Sequence, residues 1–161
     1  MPRTGTAWRT QKTRAYNNKQ NMTISRYRQL IEQLGAHFGL PLQGATHQAT
    51  TMQVKGVELN LYHGGLIVPD SVLLSCEFGS LPQFQREQIL LRLLETNMYL
   101  FNANCPAFTY QAQRDSIILI CRFSLSSASL ESTLELFDFL VSLALRWRRD
   151  HYLFGEDGTE M

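Results

Sequence analysis

The sequence predicts an α+β fold, in which helices pack on a twisted, mainly antiparallel sheet. Three observations support this prediction. Apolar residues recur at helical spacing from Ile24 to Phe38 and from Leu130 to Leu145, polar and apolar residues alternate over 51–78, and a strongly apolar helix follows that segment. With two later strands, the predicted element order is α-β-β-β-α-β-β-α.

The first half of the chain is predicted to form one helix and three strands. Gly39 and Pro41 mark the end of the helix. Alternation then predicts a hairpin that turns at Lys55-Gly56, followed by a third strand that reaches Gly79. The apolar positions of these strands are Met52, Val54, Val57, Leu59, Leu61, Val72, Leu74, Cys76 and Phe78.

The segment from Phe84 to Phe101 is predicted to be a helix with an unusually wide apolar surface. Its polar side chains, Gln88, Arg92, Glu95 and Tyr99, are spaced by three or four residues and form one narrow stripe. An ordinary surface helix buries one face, so an apolar arc this broad needs cover on two sides. In a chain of this length, another subunit is expected to supply the second cover.

The second half adds two strands and a last helix. The apolar run Ile117–Cys121 predicts a strand that is buried on both faces, either inside the sheet or at a subunit contact. Serines between 124 and 129 provide caps for the last helix. Arg148 and Arg149 close that helix with positive charge, where the helix dipole favours it.

The 161 residues are expected to form one domain with two tails. Residues 1–21 are polar, basic and aperiodic, and they are predicted to be a disordered leader, with Met22 as an alternative start. Residues 22–152 are predicted to form the domain, and residues 153–161 a flexible acidic tail.

Charge is distributed unevenly along the chain. Residues 1–21 carry five basic and no acidic side chains, whereas residues 22–161 carry 10 basic and 14 acidic ones, a net charge of −4. A mildly acidic domain is a poor platform for nucleic acid, so no nucleic-acid partner is expected. The longest apolar region, Phe137–Trp147, has about half of the roughly 20 residues needed to span a bilayer, and no membrane partner is expected.

The sequence offers little catalytic or metal-binding chemistry. Cys76, Cys105 and Cys121 are odd in number and widely spaced, which predicts neither a disulfide framework nor a zinc site and fits a reducing cytosol. His63 is the best ligand candidate, although a polar residue in a hairpin turn explains it more simply. No Gly-rich phosphate loop or GxSxG elbow occurs. We therefore expect no catalytic residues, no metal and no cofactor.

Three local features resemble one known family. Residues 79–82, Gly-Ser-Leu-Pro, lead into a helix that carries Leu-Leu-Glu-x-Asn, and Trp147 followed by Arg148 stands near the end of the last helix. The Leu-Leu-Glu-x-Asn motif is formed by Leu93, Leu94, Glu95 and Asn97. With the element order and size, these features resemble the class I chaperones of bacterial type III secretion over roughly Met22 to Asp150.

This resemblance implies a homodimer of the bacterial cytoplasm that has no enzymatic activity. It would bind the N-terminal region of a secreted effector, keep it extended and soluble, and support its export, with the secretion ATPase or export apparatus as a further partner. The implied dimer interface is Leu90, Leu93, Leu94, Met98, Ile118 and Ile120. The implied effector contacts are Ile24, Tyr27, Ile31, Val54, Leu59, Leu61 and Leu74.

Two departures from the family pattern leave alternatives open. Residues 1–21 are not part of the usual pattern, and the folded part is less acidic than in many members. One alternative is an enzyme or small-molecule receptor that uses the concave side of the sheet, or another protein-interaction α+β domain without a secretion role. The other is a nucleic-acid adaptor that acts through residues 1–21.

Overall fold

A computed structural model describes residues 7–40, 49–100 and 104–153 of this chain. Within them the predicted element order and the α+β class are confirmed. The elements are α1 (Ala7–Phe38), β1 (Ala49–Val54), β2 (Val57–His63), β3 (Ser71–Ser80), α2 (Arg86–Asn97), β4 (Ala107–Gln111), β5 (Ser116–Ser124) and α3 (Leu130–Asp150). The strands form one antiparallel sheet in the order β1-β2-β3-β5-β4.

The hydrophobic core lies between one face of this sheet and helices α1 and α3. The Tyr27 hydroxyl of α1 donates a hydrogen bond to the Leu61 carbonyl oxygen at 3.1 Å. The α1 ring of Phe38 stacks on Phe137 of α3, with 6.4 Å between the ring centroids. The opposite face of the sheet, called the outer face below, carries the alternate strand positions, including Tyr62, Leu73, Ile118 and Ile120.

Helix α1 begins earlier than the sequence analysis predicted. Residues from Ala7 onward are helical, so the prediction of disorder for residues 1–21 is wrong from Ala7 on, and residues 1–6 lie outside the described part. Residues 11–19 are exposed, so this part of the helix has no buried face and shows no apolar periodicity. The absence of Gly and Pro over residues 7–34 allows the helix to extend through it.

The ends of the domain and of α2 also differ from the predicted bounds. Leu153 is buried and belongs to the core, while residues 154–161 lie outside the described part. Helix α2 covers Arg86–Asn97 rather than Phe84–Phe101. Gln85 adopts a left-handed backbone conformation with φ of 49°, so the helix begins after it.

Arg148 joins the end of α3 to two parts of the sheet. Its guanidinium donates hydrogen bonds to the carbonyl oxygens of Phe78 at 2.6 Å, Glu77 at 3.0 Å and Gly56 at 3.0 Å. The register of β3 against β5 shifts between Glu77 and Gly79, so a β-bulge lies at this point. The preceding Trp147 is buried against Phe78. The Trp-Arg pair of the sequence motif therefore fixes α3 on the sheet.

We expect Arg148→Gln to lower the free energy of unfolding by about 1–2 kcal/mol, because three hydrogen bonds to a charged donor are lost at a partly solvated site. Arg149→Gln is the matched control. Its side chain is exposed and lies 3.7 Å from Asp150, so its substitution should change stability by less than about 0.5 kcal/mol. Urea denaturation midpoints measure both effects. Equal midpoints for the two variants would contradict the structural role of Arg148.

Candidate binding surfaces

The two edges of the sheet differ in how far they are closed. At the β4 edge, the side chain of Asn97 pairs with the backbone of Phe108. Its Oδ1 accepts from the Phe108 N–H at 2.7 Å, and its Nδ2 donates to the Phe108 carbonyl at 3.3 Å. The amide thus imitates a neighbouring strand. Helix α2 covers this edge and hinders the addition of another strand there.

The β1 edge is open within the described part of the chain, because no described strand pairs with its outer side. A two-residue turn at Lys55-Gly56 joins β1 to β2, with Val54 opposite Val57. Such a hairpin closes on a hydrogen-bonded pair, and pairs then alternate between bonded and non-bonded types. The N–H and C=O groups of Ala49, Thr51 and Gln53 therefore point away from β2.

Most of the residues implied as effector contacts lie in the core of the monomer. Each is at most 7% exposed, so none can contact a partner while the domain stays folded. The prediction is therefore wrong for Tyr27, Ile31, Val54, Leu59, Leu61 and Leu74. Alternation in sequence shows which side chains share a face, but not which face the helices cover. Ile24 is partly exposed and remains a candidate.

The outer face carries the apolar strand residues that solvent can reach. Tyr62 of β2 lies directly opposite Leu73 of β3, and both side chains are more than two-fifths exposed. Along each strand, these two residues point to the face opposite that of the predicted effector contacts. The signal that could have found them is an apolar residue at a position where alternation calls for a polar one.

The predicted dimer residues divide into three groups. Leu94 of α2 is 62% exposed, and Met98, which caps the C-terminus of α2, is 69% exposed. Leu91, three residues before Leu94, extends the same ridge. Leu90 is half-buried, as are Ile118 and Ile120 on the outer face of β5. Leu93 is only 3% exposed, because it faces the core of its own domain, so its prediction as an interface residue is wrong. The ridge formed by Leu91, Leu94 and Met98 is called the α2 ridge below.

An ion pair fixes the start of α2 against the β4–β5 turn. Arg86 contacts both carboxylate oxygens of Asp115, with Nη2–Oδ1 at 2.7 Å and Nη1–Oδ2 at 3.1 Å. The Tyr110 hydroxyl donates to the same carboxylate at 2.7 Å. These hydrogen bonds, that of Arg86 foremost, lower the pKa of Asp115 to about 2. The α2 ridge is thereby held in a defined orientation beside the sheet.

A search for related families matches the chain to the Tir chaperone protein (CesT) family over residues 29–148. This match covers most of the chain, including the sheet, α2 and almost all of α3. The chain belongs to the CesT family. The resemblance to class I type III secretion chaperones is therefore confirmed. A search of curated protein sequences finds no match.

Solved structures with the CesT-type fold include three complexes. A chain of the ExsC–ExsE complex matches with a TM-score of 0.64 and 16% identity, covering 78% of this chain and 93% of that one. For the HopA1–SchA chaperone–effector complex the TM-score is 0.61 and the identity 15%, with coverage of 80% and 97%. For the ExoT–SpcS complex from Pseudomonas aeruginosa the values are 0.55 and 19%, with coverage of 75% and 96%. At these identities the matches show a shared fold.

In this CesT family member, the described residues hold little that resembles an active site. No group of three His, Cys, Asp or Glu side chains comes together within them in a way that could hold a metal ion. Burial raises the pKa of Cys76 and of Cys121 to about 12, so neither is a ready nucleophile. A cleft of about 430 Å³ between α1 and the β5–α3 loop is lined by glutamine, serine and leucine side chains and by Arg26. Such a lining offers no paired acid and base.

The imidazole of His63, the best ligand candidate of the sequence analysis, is a buried link between β2 and α1. Its Nδ1 accepts a hydrogen bond from the Gly65 N–H at 3.0 Å, and its Nε2 lies 3.3 Å from the Thr23 hydroxyl. The ring also meets Tyr27 edge-on, with 5.6 Å between centroids. Burial lowers the pKa of His63, and a backbone hydrogen bond with Pro69 opposes this shift more weakly.

We expect this lowered pKa to make stability fall on mild acidification. Above the unfolded pKa of about 6.5, both states are neutral and the folded state keeps its full stability. As the pH falls below that value, the unfolded state takes up a proton that folded His63 resists, so the free energy of unfolding decreases until the lowered folded pKa is reached. His151 is shifted in the same direction by burial and adds to the slope.

Urea midpoints between pH 7.5 and pH 5 test this expectation. The decrease should be smaller in His63→Gln than in the wild type, and a His151→Gln variant separates the second contribution. Asp115, with its pKa lowered to about 2, loses its stabilising effect only at pH below about 4, outside this window. An unchanged slope in His63→Gln would show that the shift of this histidine does not govern the pH dependence.

Proposed function

We propose that this protein is a type III secretion chaperone that binds the N-terminal region of a secreted effector and keeps it extended and soluble for export. Membership of the CesT family supports this function, and fold relatives such as HopA1–SchA are chaperone–effector complexes. The observation that carries the binding mode is the open edge of β1, whose outward backbone groups have no described strand beside them.

In this proposal the effector segment adds a strand to β1. The backbone groups of Ala49, Thr51 and Gln53 would form hydrogen bonds with it, and these bonds do not depend on the effector's side chains. Side chains of the added strand would alternate between the α1 side and the outer face. Ordering the segment offsets part of the gain in free energy, so the bound effector region can remain without a globular fold.

Apolar contacts would supplement this backbone pairing. Ile24 of α1 keeps its predicted role because it is partly exposed on the helix that overlies β1 and β2. Tyr62 and Leu73 replace the buried strand residues, since they offer exposed apolar surface on the outer face. A segment that passes round the end of β1 could reach both sides of the sheet.

We further propose that the functional unit is a homodimer formed through the α2 ridge. Leu91 and Leu94 of the 12-residue helix α2, with Met98 at its C-cap, form an exposed apolar face that a monomer leaves in water. A two-fold axis beside α2 would bring this ridge against its copy. The margin of this interface would include the half-buried side chains of Leu90, Ile118 and Ile120. Leu93 would stay in the core of each subunit.

The remaining parts of the proposal concern location and chemistry. We propose the bacterial cytoplasm as the site of action, and the export apparatus with its ATPase as the component that receives the complex. The protein would act by binding alone, without enzymatic activity. Cys76 and Cys121 are buried, weakly acidic thiols that are poorly placed to act as nucleophiles.

Co-expression of the full chain with the N-terminal regions of proteins encoded beside its gene tests this function. Light scattering of the purified complex should give the mass of two copies of this chain and one effector segment, and the segment should be protease-sensitive when free. A stable chain that captures none of these segments, and none of the exported proteins of the same bacterium, would refute the proposed function.

A further inference from the structure

The N-terminal half of α1 and the β2–β3 loop form a surface that the core does not use. The α1 part comprises residues 11–22 and the loop comprises residues 64–70, and together they are called the α1-loop surface. The Tyr16 hydroxyl donates a hydrogen bond to the Leu66 carbonyl oxygen, which links the two parts directly. The match to the CesT family begins at residue 29, so this half of α1 lies outside it.

The α1-loop surface is positively charged on its helical side. Residues 11–22 contain three basic side chains, Lys12, Arg14 and Lys19, and no acidic one, whereas residues 32–161 contain eight basic and 14 acidic ones. Lys12 and Lys19 lie four residues before and three residues after Tyr16, so all three share one helix face. Because Tyr16 contacts the loop, both exposed lysines belong to the side of α1 that borders it.

The loop side of this surface is a protruding aliphatic tip. Leu66, Ile67 and Val68 are consecutive and are 62%, 91% and 47% exposed. The tip has a defined shape, because the Val68 N–H bonds to the Gly64 carbonyl at 3.3 Å and the Gly64 N–H bonds to the Ser71 carbonyl at 2.7 Å. A Cβ on Gly64 would lie 2.1 Å from the Val68 carbonyl oxygen, so only glycine fits there. Three adjacent large aliphatic side chains in water indicate a surface that another phase or molecule covers.

We propose that the α1-loop surface binds the surface of a membrane that contains anionic lipids. A protruding aliphatic tip can enter the boundary between headgroups and acyl chains, while neighbouring lysines meet the anionic headgroups. An extended effector strand needs an open edge or a groove, and the tip is neither. Nucleic acid would satisfy the lysines but leave the three aliphatic side chains in water.

Such binding is peripheral and differs from membrane spanning. No helix in the described ranges is long and apolar enough to cross a bilayer. The expectation that membranes are not a partner rested on the lack of a spanning segment, which does not bear on attachment to the lipid surface. A basic patch and an insertion loop are two weak signals that act together, and stable attachment takes two such signals.

Sedimentation of the full chain with vesicles tests the proposal. Vesicles of phosphatidylcholine with about one-third phosphatidylglycerol should bind the protein, and vesicles of phosphatidylcholine alone should bind it far less. Lys12→Gln/Lys19→Gln should weaken binding roughly twenty-five-fold, since each charge near the surface contributes about fivefold. Ile67→Ser should weaken it about tenfold or more, because a buried aliphatic side chain is lost.

Matched variants at the other end of the domain serve as controls. Lys55→Gln/Arg149→Gln makes the same change in net charge, and Leu145→Ser removes an exposed aliphatic side chain elsewhere. Both should bind vesicles like the wild type. Insertion into the lipid is measured with Ile67→Trp. Brominated lipid should quench the fluorescence of this added tryptophan, and it should not quench that of the tryptophan added in Leu145→Trp.

The proposal is overturned if the folded wild-type chain does not bind anionic vesicles. It is also overturned if Lys12→Gln/Lys19→Gln and Ile67→Ser bind these vesicles as tightly as the control variants. Failure of vesicle binding together with loss of effector capture in Lys12→Gln/Lys19→Gln would assign the surface to an acidic stretch of the effector instead. Effector capture by the unmodified chain is measured separately, so this test and that of the chaperone function can fail independently.

Discussion

Thr51→Pro should lower the affinity for an effector segment by between about tenfold and a hundredfold. The N–H of Thr51 points to the open side of β1, and proline removes this donor without removing a hydrogen bond between β1 and β2. A carbonyl of the added strand would then lose its partner. An unpaired carbonyl at a covered site costs about 1–3 kcal/mol, which sets the expected range.

A second substitution at the same position separates the backbone from the side chain. The Thr51 hydroxyl donates to Asn60 at 2.6 Å, and Thr51→Val removes this bond while it keeps the N–H and the β-branched shape. Thr51→Val should therefore retain effector binding close to that of the wild type. Isothermal titration with an identified effector segment measures both variants, and circular dichroism checks that each is folded. Equal affinity in both would show that the effector does not add a strand at this edge.

Periodicity predicted most elements of this fold because most of them bury one side. Strands β1, β2 and β3 alternate as predicted. Strand β5 was predicted to be buried on both faces, but Ile118 and Ile120 are only partly buried. Helix α3 lines its core face with Phe137, Leu140 and Val141. The first half of α1 was not predicted, because residues 11–19 are exposed and therefore show no apolar pattern. Its helical state follows from continuity with a packed helix and from the absence of Gly and Pro.

The binding surfaces were harder to predict because they depend on which face is covered. The sequence places Leu59, Leu61 and Leu74 on one face, but the choice of that face as core follows only from the packing of α1 and α3. Tyr62 and Leu73, on the other face, are then the exposed residues. The sequence pattern of a strand shows which side chains share a face. It does not show which of the two faces packs against the core.

The identity of the open edge also depends on long-range pairing. Strand β5 lies between β3 and β4, so the last two strands are added to the sheet out of sequence order. Asn97 shows how a short motif can carry such information. Its amide pairs with Phe108 of β4, which gives the Asn of the Leu-Leu-Glu-x-Asn motif a structural role in closing that edge.

Leu94→Asp should convert the proposed homodimer to a monomer at micromolar concentration. Leu94 is 62% exposed in the single chain, so the substitution should leave the fold of the monomer nearly unchanged. In a dimer that buries the α2 ridge, the new carboxylate would lose its hydration without gaining a partner, at a cost of several kcal/mol. Light scattering over a range of concentrations measures the change in mass.

Leu145→Asp is the matched control, because it places the same charge on an exposed leucine of α3, away from the α2 ridge. This variant should remain dimeric. A similar urea midpoint for monomeric Leu94→Asp and Leu145→Asp would show that the first loses assembly rather than its fold. Retention of a dimer by Leu94→Asp would remove the α2 ridge from the interface, and its exposed leucines would then be available for another partner, such as the effector.

Loss of the dimer together with tight binding of one effector segment per monomer would instead separate assembly from effector capture, since the β1 edge lies at the other end of the sheet from β4 and α2.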